Sequence, residues 1–349
     1  MKFFQKLKAL FFKTTSEQPP DQEVSVENTL DNASSAPVGN KSELLVFDPE
    51  KRIFVVKKRI SSVGLFYPDT QLVVVKGLDG SERKVSFNST LSSETIPVAG
   101  TWVNNEIGGI GLYDIANNSF ILQKHDGTEI IVAGTTTPEA QCLPLVGDWD
   151  GDGIDSVGLY DLHQGLFFLH KKIMGQTERD IVLQYQPAHA NIRPLVGKWE
   201  VNGYEAIGLY DRDNAMFYLH TPTTESAEIY RAFKFGPINP YTIPLVGDWN
   251  GNGQDNIGIY ETDKGLFNLH NRHEGGIADN FFLFGPVHAQ TVPLVGDWDG
   301  DGKDSVAVYD GLTGMVYFSN ANCAGDADKV LQFEHVTPQC LPFVVHQMI

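Results

Sequence analysis

Four carboxylates crowd into eight residues at Asp148-Trp-Asp150-Gly-Asp152-Gly-Ile-Asp155. Side-chain oxygens stand at loop positions 1, 3, 5 and 8, and glycines at 4 and 6. Asp297, Asp299, Asp301 and Asp304 repeat the spacing, and Asp248, Asn250, Asn252 and Asp255 repeat it with two amides in place of acids. Carboxylates at this density repel one another, and a bound cation relieves the repulsion. Alternate positions of a tight loop turn their oxygens inward, and the backbone carbonyl at position 7 can add another ligand. A hard, all-oxygen donor set suits calcium, which takes roughly six to eight oxygens in flexible geometry. Magnesium demands near-octahedral order and keeps its waters. Zinc lacks the Cys and His it usually takes. The loop is not an EF-hand, because no Glu stands at position 12 and strand-like segments flank it.

The elements that position these loops recur with them. IPVAGTW, LPLVGDW, RPLVGKW, IPLVGDW and VPLVGDW begin at Ile96, Leu143, Arg193, Ile243 and Val292, and all five tryptophans fall at this one repeat position. Self-similarity every 47–50 residues marks a repeat architecture. The unit from Leu143 reads as four short strands: LPLVGD, SVGLYD, LFFLHKK and DIVLQYQP. Four strands in a unit of this length predict a propeller blade. Gly100, Gly147, Gly197, Gly247 and Gly296 precede the loops and predict a tight turn or a close approach between blades. Tyr113, Tyr160, Tyr210, Tyr260 and Tyr309 predict packing between blades. Two loops have lost the ligand pattern. One begins Lys198-Trp199 and ends at Glu205, and the other is Thr101-Trp-Val-Asn-Asn-Glu-Ile. The tryptophan therefore serves the fold, and the ion is optional blade by blade.

The two ends complement each other. Leu341-Pro-Phe-Val-Val supplies a first strand with no blade after it, and Val63–Lys76 matches second and third strands with no first strand before them. Pairing the ends closes a ring and removes exposed sheet edges. The expectation is an all-β propeller of six four-stranded blades over residues 43–349. The segment Leu44–Arg59 leaves open an extra hairpin or a degenerate seventh blade.

Ahead of the ring, residues 1–13 carry four lysines. Phe3, Phe4, Leu7, Leu10 and Phe11 recur at helical spacing, so the segment predicts a basic amphipathic helix suited to peripheral contact with a membrane surface. Docking on a partner protein and an atypical export signal are the alternatives. Residues 14–42 are polar and aperiodic, as in a disordered linker. This segment favours a membrane-peripheral or cell-surface (extracellular) placement without fixing the compartment, and it carries no clear cleavable signal peptide.

DWDGDGKDSVAVYD and its copies resemble the FG-GAP and VCBS-type repeats of calcium-binding propellers, as in integrin α-chain head domains and many bacterial surface proteins. The resemblance covers about residues 63–349 and implies an adhesion or ligand-binding module. Two features depart from the family. Its loops usually end with Asp at position 9, where this chain has Ser156, Asn256 and Ser305, and its integrin members have seven blades.

A net charge of −18 argues against nucleic acid, which needs a basic footprint. Three cysteines are too few for a disulfide framework. GxSxG, HExxH and P-loop motifs are absent from the sequence. His170, His220 and His270 recur after a Leu and could form a metal-binding ring, or be inherited strand residues. The reading is a non-enzymatic calcium-binding propeller that binds a protein or glycan. Its working face would be the one opposite the metal loops, where the turns vary most. The alternatives are a glycan-active hydrolase or lyase, and a membrane-tethered scaffold.

Overall fold

The computed structural model describes residues 43–48, 53–103, 108–134, 141–171, 173, 181–185, 187–200, 204–220 and 229–348. The expected helix and linker, residues 1–13 and 14–42, lie outside them. Among the described residues every regular element is a β-strand, and the strands form six four-stranded antiparallel blades. The first strands are Thr95–Gly100, Cys142–Gly147, Ile192–Gly197, Thr242–Gly247, Thr291–Gly296 and Leu341–Met348. Each neighbours the next around a closed ring, so all six line the axis.

Burial follows from position in the blade. Second strands such as Ser156–Asp161 and Ala206–Asp211 are buried along their whole length, because they lie between two strands and two neighbouring blades. Their unbroken apolar runs read accordingly. Fourth strands such as Lys329–Gln332 are mostly exposed. The hydrophobic core is split into clusters that bridge adjacent blades. Trp149, Tyr160 and Phe167 of one blade, for instance, pack with Ile192, Ile207 and Leu209 of the next.

The closing blade is built from both ends of the chain. Leu341–Met348 pairs along its length with the second half of the long strand Ile53–Tyr67, from Arg59↔Met348 to Phe66↔Leu341. Leu72–Lys76 and Glu82–Ser86 complete that blade. The first half of Ile53–Tyr67 pairs instead with Glu43–Asp48. Leu44–Arg59 is thus a hairpin extending the closing blade, and no seventh blade forms from the described residues.

Each tryptophan folds back over the glycine two residues before it. A Cβ on Gly197 would stand 2.5 Å from the Trp199 ring and 2.9 Å from Val246 of the next blade. Gly100 and Gly147 meet Trp102 and Trp149 in the same way. Trp199, Trp249 and Trp298 donate their indole N–H to the carbonyls of Ile207, Ile257 and Ser305, at 3.0–3.1 Å. The G-x-W pattern therefore encodes a ring-on-backbone contact together with the expected close approach between blades. The recurrent tyrosines pack between blades as expected, Tyr160 with Ile207 and Leu209, Tyr210 with Ile257 and Ile259, and Tyr260 with Val306 and Val308. Tyr160, Tyr210 and Tyr260 pair across strands with Phe167, Phe217 and Phe267 of their own blade, with ring centroids 4.4–4.6 Å apart.

Two outcomes are expected from this geometry. Gly197→Ala forces the Trp199 ring or Val246 to move and should cost roughly 1–3 kcal/mol in chemical denaturation. A chain ending at Cys340 exposes the edge of Ile53–Tyr67 and uncovers Val63, Leu65 and Phe66, all fully buried. Its melting temperature should fall by roughly 10 °C or more. A fall of a degree or two would show that ring closure contributes little.

Candidate functional site

The acidic loops join the first strand of a blade to the second, so all emerge on one face of the ring. The turns between second and third strands emerge on the other. In the first complete loop, Asp148, Asp150 and Asp152 bring ligand oxygens within 4.8 Å of one another, and Asp297, Asp299 and Asp301 do the same. The glycines at positions 4 and 6 have left-handed backbones: φ is 76° and 83° at Gly151 and Gly153, 72° and 87° at Gly300 and Gly302. Other residue types adopt that conformation only with strain.

The position-1 carboxylate organises each loop. Asp148 accepts the amides of Gly151 and Gly153 at 2.7 and 3.0 Å. Asp297 accepts those of Gly300, Asp301 and Gly302 at 2.7, 3.1 and 3.0 Å. Burial raises the pKa of both, and their acidic neighbours at positions 5 and 3 raise it further. Each loop thus holds a partly desolvated negative charge beside two more. Asp248 takes the same amides, but Asn250 and Asn252 stand where its sister loops have acids. The Lys303 side chain of the next blade also lies against Gly251 of this loop.

The fourth candidate of each set is placed elsewhere. Asp155 turns away from its own loop and accepts the backbone N–H of Thr101, position 1 of the preceding blade, at 2.6 Å. Its own N–H donates back to the Thr101 carbonyl at 2.8 Å. Asp255 and Asp304 make the same two-way contact with Lys198 and Asp248. Glu205 accepts the Asp148 N–H at 3.0 Å, and Ser61 accepts that of Asp297 at 3.1 Å. At the remaining joint Gly108 lies against the His346 carbonyl, 2.5 Å from where its Cβ would be. Position 8 is therefore a latch between blades. The sequence carried a signal for it, because Glu205 retains an acid in a loop that has lost the rest of the pattern.

These latches surround the axis. Glu205, Asp255 and Asp304, with Lys198, Asp248 and His346, line an axial depression of about 280 Å³. Asp255 is partly buried in this depression, and burial together with the charge of Asp304 pushes its pKa up to about 7.

The recurring histidines do not form a ring. His220 packs on Tyr185 and His270 stacks on Phe235, each an aromatic of the preceding blade, with centroids 3.7 and 5.2 Å apart. On the turn face, sequence reasoning missed a cluster in which His189 lies 3.4 Å from Asp211 and 3.5 Å from Asp213. Hydrogen bonding to Asp211 raises the His189 pKa. A signal was there: Pro-x-His-Ala recurs with His288, which lies 3.0 Å from Asp310, the counterpart of Asp211.

No protein-family profile matches the sequence, and no curated protein matches it. Solved structures do resemble the fold. A lectin of Agrocybe aegerita that recognises non-reducing terminal N-acetylglucosamine is 11% identical with a TM-score of 0.52, over 83% of this chain and 95% of that one. A Bacteroides caccae protein of unknown function is 11% identical with a TM-score of 0.47, over 82% and 99%. Virginiamycin B lyase of Staphylococcus aureus is 11% identical with a TM-score of 0.39, over 80% and 87%. At these identities the likeness is one of fold.

The latch generates a pH-dependent prediction. Folding raises the Asp255 pKa from its ordinary carboxylate value to about 7, so the folded state holds a proton that the unfolded state has released. Stability then falls as pH rises between those two values. Asp255→Asn keeps an acceptor for the Lys198 amide and has no charge to bury. Its melting temperature relative to the parent, measured in chelator, should rise steadily from about pH 4 to pH 8. A difference independent of pH would mean that Asp255 is ionised without cost.

Proposed function

We propose that this chain is a non-enzymatic calcium-binding β-propeller that holds a protein or glycan ligand on its turn face, while the ions brace the opposite face. The observation that carries the calcium reading is the pair of carboxylate triads, Asp148-Asp150-Asp152 and Asp297-Asp299-Asp301, with ligand oxygens within 4.8 Å of one another. Three hard oxygens on a glycine-hinged loop match the donor chemistry of calcium. Bound there, the ion would stabilise the carboxylates of Asp148 and Asp297, whose pKa values burial and their acidic neighbours raise, and would lock the loop against its neighbour. The FG-GAP/VCBS resemblance supports the same reading.

The division between faces supports a binding role. The metal loops are near-copies of one another, as a shared mechanical task requires. The turns across the ring differ: Leu162-His163-Gln164, Arg212-Asp213-Asn214 and Thr262-Asp263-Lys264. Variable loops on a rigid scaffold are where recognition usually resides. The Agrocybe aegerita lectin is a precedent for glycan recognition on a scaffold of this shape.

Calorimetry with calcium is expected to give two stronger sites and a third, weaker one at Asp248-Asn250-Asn252, because ligand charge tunes affinity. Calcium should raise the melting temperature by mass action. The rise should be larger near neutral pH than at about pH 5, since protons compete for carboxylates whose pKa values are raised. Asp150→Asn with Asp152→Asn should remove one strong equivalent and leave the fold intact. A stoichiometry near zero, or a melting temperature indifferent to chelator, would end the calcium reading.

A further inference from the structure

Between the closing blade and the blade before it lies a cleft of about 370 Å³. We propose that this cleft is a binding site for a neutral saccharide of one or two rings, presented at the end of a glycan. The inference deepens the binding-module reading above by naming a site and a ligand class.

The cleft is preformed. Three hydrogen bonds brace its two walls. Tyr67 donates its phenol O–H to the Glu334 carbonyl at 2.8 Å, and Lys76 donates to the Gln332 carbonyl at 2.9 Å. Lys329 donates across the gap to the Leu78 carbonyl at 2.6 Å. A ligand entering such a site loses little affinity to ordering the protein. The volume sits at the low end of the range of small-molecule sites, roughly 300–1,000 Å³, which limits the occupant to one or two rings.

Its chemistry is of two kinds. Leu72, Val74 and the buried Cys340 form an apolar floor, and the half-buried Tyr67 ring forms a wall. Around the mouth stand Asp69, Glu82 and Glu334, which accept hydrogen bonds, and Lys76 and Lys84, which donate them. Glu82 lies between the two lysines, at 3.2 Å from Lys76 and 3.3 Å from Lys84. Burial, with the nearby Cys340, Glu82 and Glu334, pushes the Tyr67 pKa up to about 12, so the phenol stays neutral.

A pyranose matches this pattern group by group. Each hydroxyl both donates and accepts, so it can bridge a carboxylate and an ammonium placed side by side. Its axial C–H face is apolar and packs against an aromatic wall or an aliphatic floor. Other occupants fit less well. Three acids against two lysines leave the mouth with mixed signs and little net charge, which disfavours a simple ion. An extended peptide would have to add to the outer strand Glu82–Ser86, whose Glu82, Arg83 and Lys84 are the charges that guard an edge against strand addition. The cleft also begins at Pro68-Asp69-Thr70, the closing blade's counterpart of the variable turns, so it opens on the proposed working face. No local motif marks it, because its walls come from segments far apart in the chain.

The test uses the full chain and the methyl glycosides of neutral hexoses and N-acetylhexosamines, read by saturation-transfer NMR and calorimetry with and without calcium. At least one glycoside is expected to bind with a dissociation constant of about 1 mM or tighter. Glu82→Gln with Lys84→Ala should weaken it by roughly tenfold or more, about 1.4 kcal/mol. Thr70→Trp should block the mouth. Both variants alter exposed side chains and should melt with the parent. Glu274→Gln, exposed on a different blade and outside the variable turns, should bind as the parent does. The inference is overturned if no glycoside in the panel binds, or if binding survives both cleft variants. Binding that persists in chelator leaves the cleft in place and counts only against a calcium requirement. Appearance of new anomeric signals over time would keep the saccharide site and refute the non-enzymatic reading. Calcium binding without any glycoside binding would refute the cleft alone.

Discussion

The ring depends on one repeated contact, a side chain at loop position 8 reaching back to the position-1 backbone of the blade before it. Asp155, Glu205, Asp255, Asp304 and Ser61 supply that acceptor at five joints. At four of these the latching residue also returns its own amide to the same backbone, so register and angle between blades are fixed together: Asp155, Asp255, Asp304 and Ser61 donate to Thr101, Lys198, Asp248 and Asp297. Hydrogen bonds from backbone N–H to carboxylate are among the stronger neutral-to-charged contacts available. They also leave several acids around a narrow axis. The Asp255 environment records the cost of that crowding.

Much of this was legible in the sequence. The period, the four-strand unit and the complementary ends are properties of pattern, and pattern survives the lack of coordinates. Six blades and a split closing blade follow from counting. The roles of individual repeat positions were harder to read. A carboxylate eight residues into an acidic loop looks like one more ligand, because spacing along the chain cannot tell which way a side chain turns at a blade boundary. Glu205 and Ser61 break the apparent motif and keep the acceptor, and they show what position 8 is for. The tyrosines do pack between blades, as their recurrence implied, and Tyr160, Tyr210 and Tyr260 each also pair with a phenylalanine one strand away in their own sheet. The cleft between the closing blade and its neighbour had no repeat signature, since Tyr67, Lys76 and Glu82 stand where the other blades carry different residues.

The two faces therefore follow different constraints. On the loop face each blade leans on its neighbour through the latch and through the position-7 side chain. Tyr204 lies against Gly151, and Lys303 against Gly251. A change in one loop is felt in the next, which favours near-identical copies. On the turn face, buried acids such as Asp161 and Asp310 cap their own turns by accepting amides two and three residues ahead. Each turn is satisfied locally, so its exposed residues are free to vary without disturbing a neighbour.

The split blade also imposes a schedule. Ser61 and His346, in contact in the finished ring, are 285 positions apart. At translation speeds of about 5–20 residues per second, the strand bearing Ser61 leaves the ribosome roughly 15–60 s before its inner partner exists. For that interval Val63, Leu65 and Phe66, which end up fully buried, belong to an unpaired edge. Lys57, Lys58 and Arg59 precede this apolar stretch directly. Flanking charge of that kind disfavours intermolecular strand pairing while the edge is open.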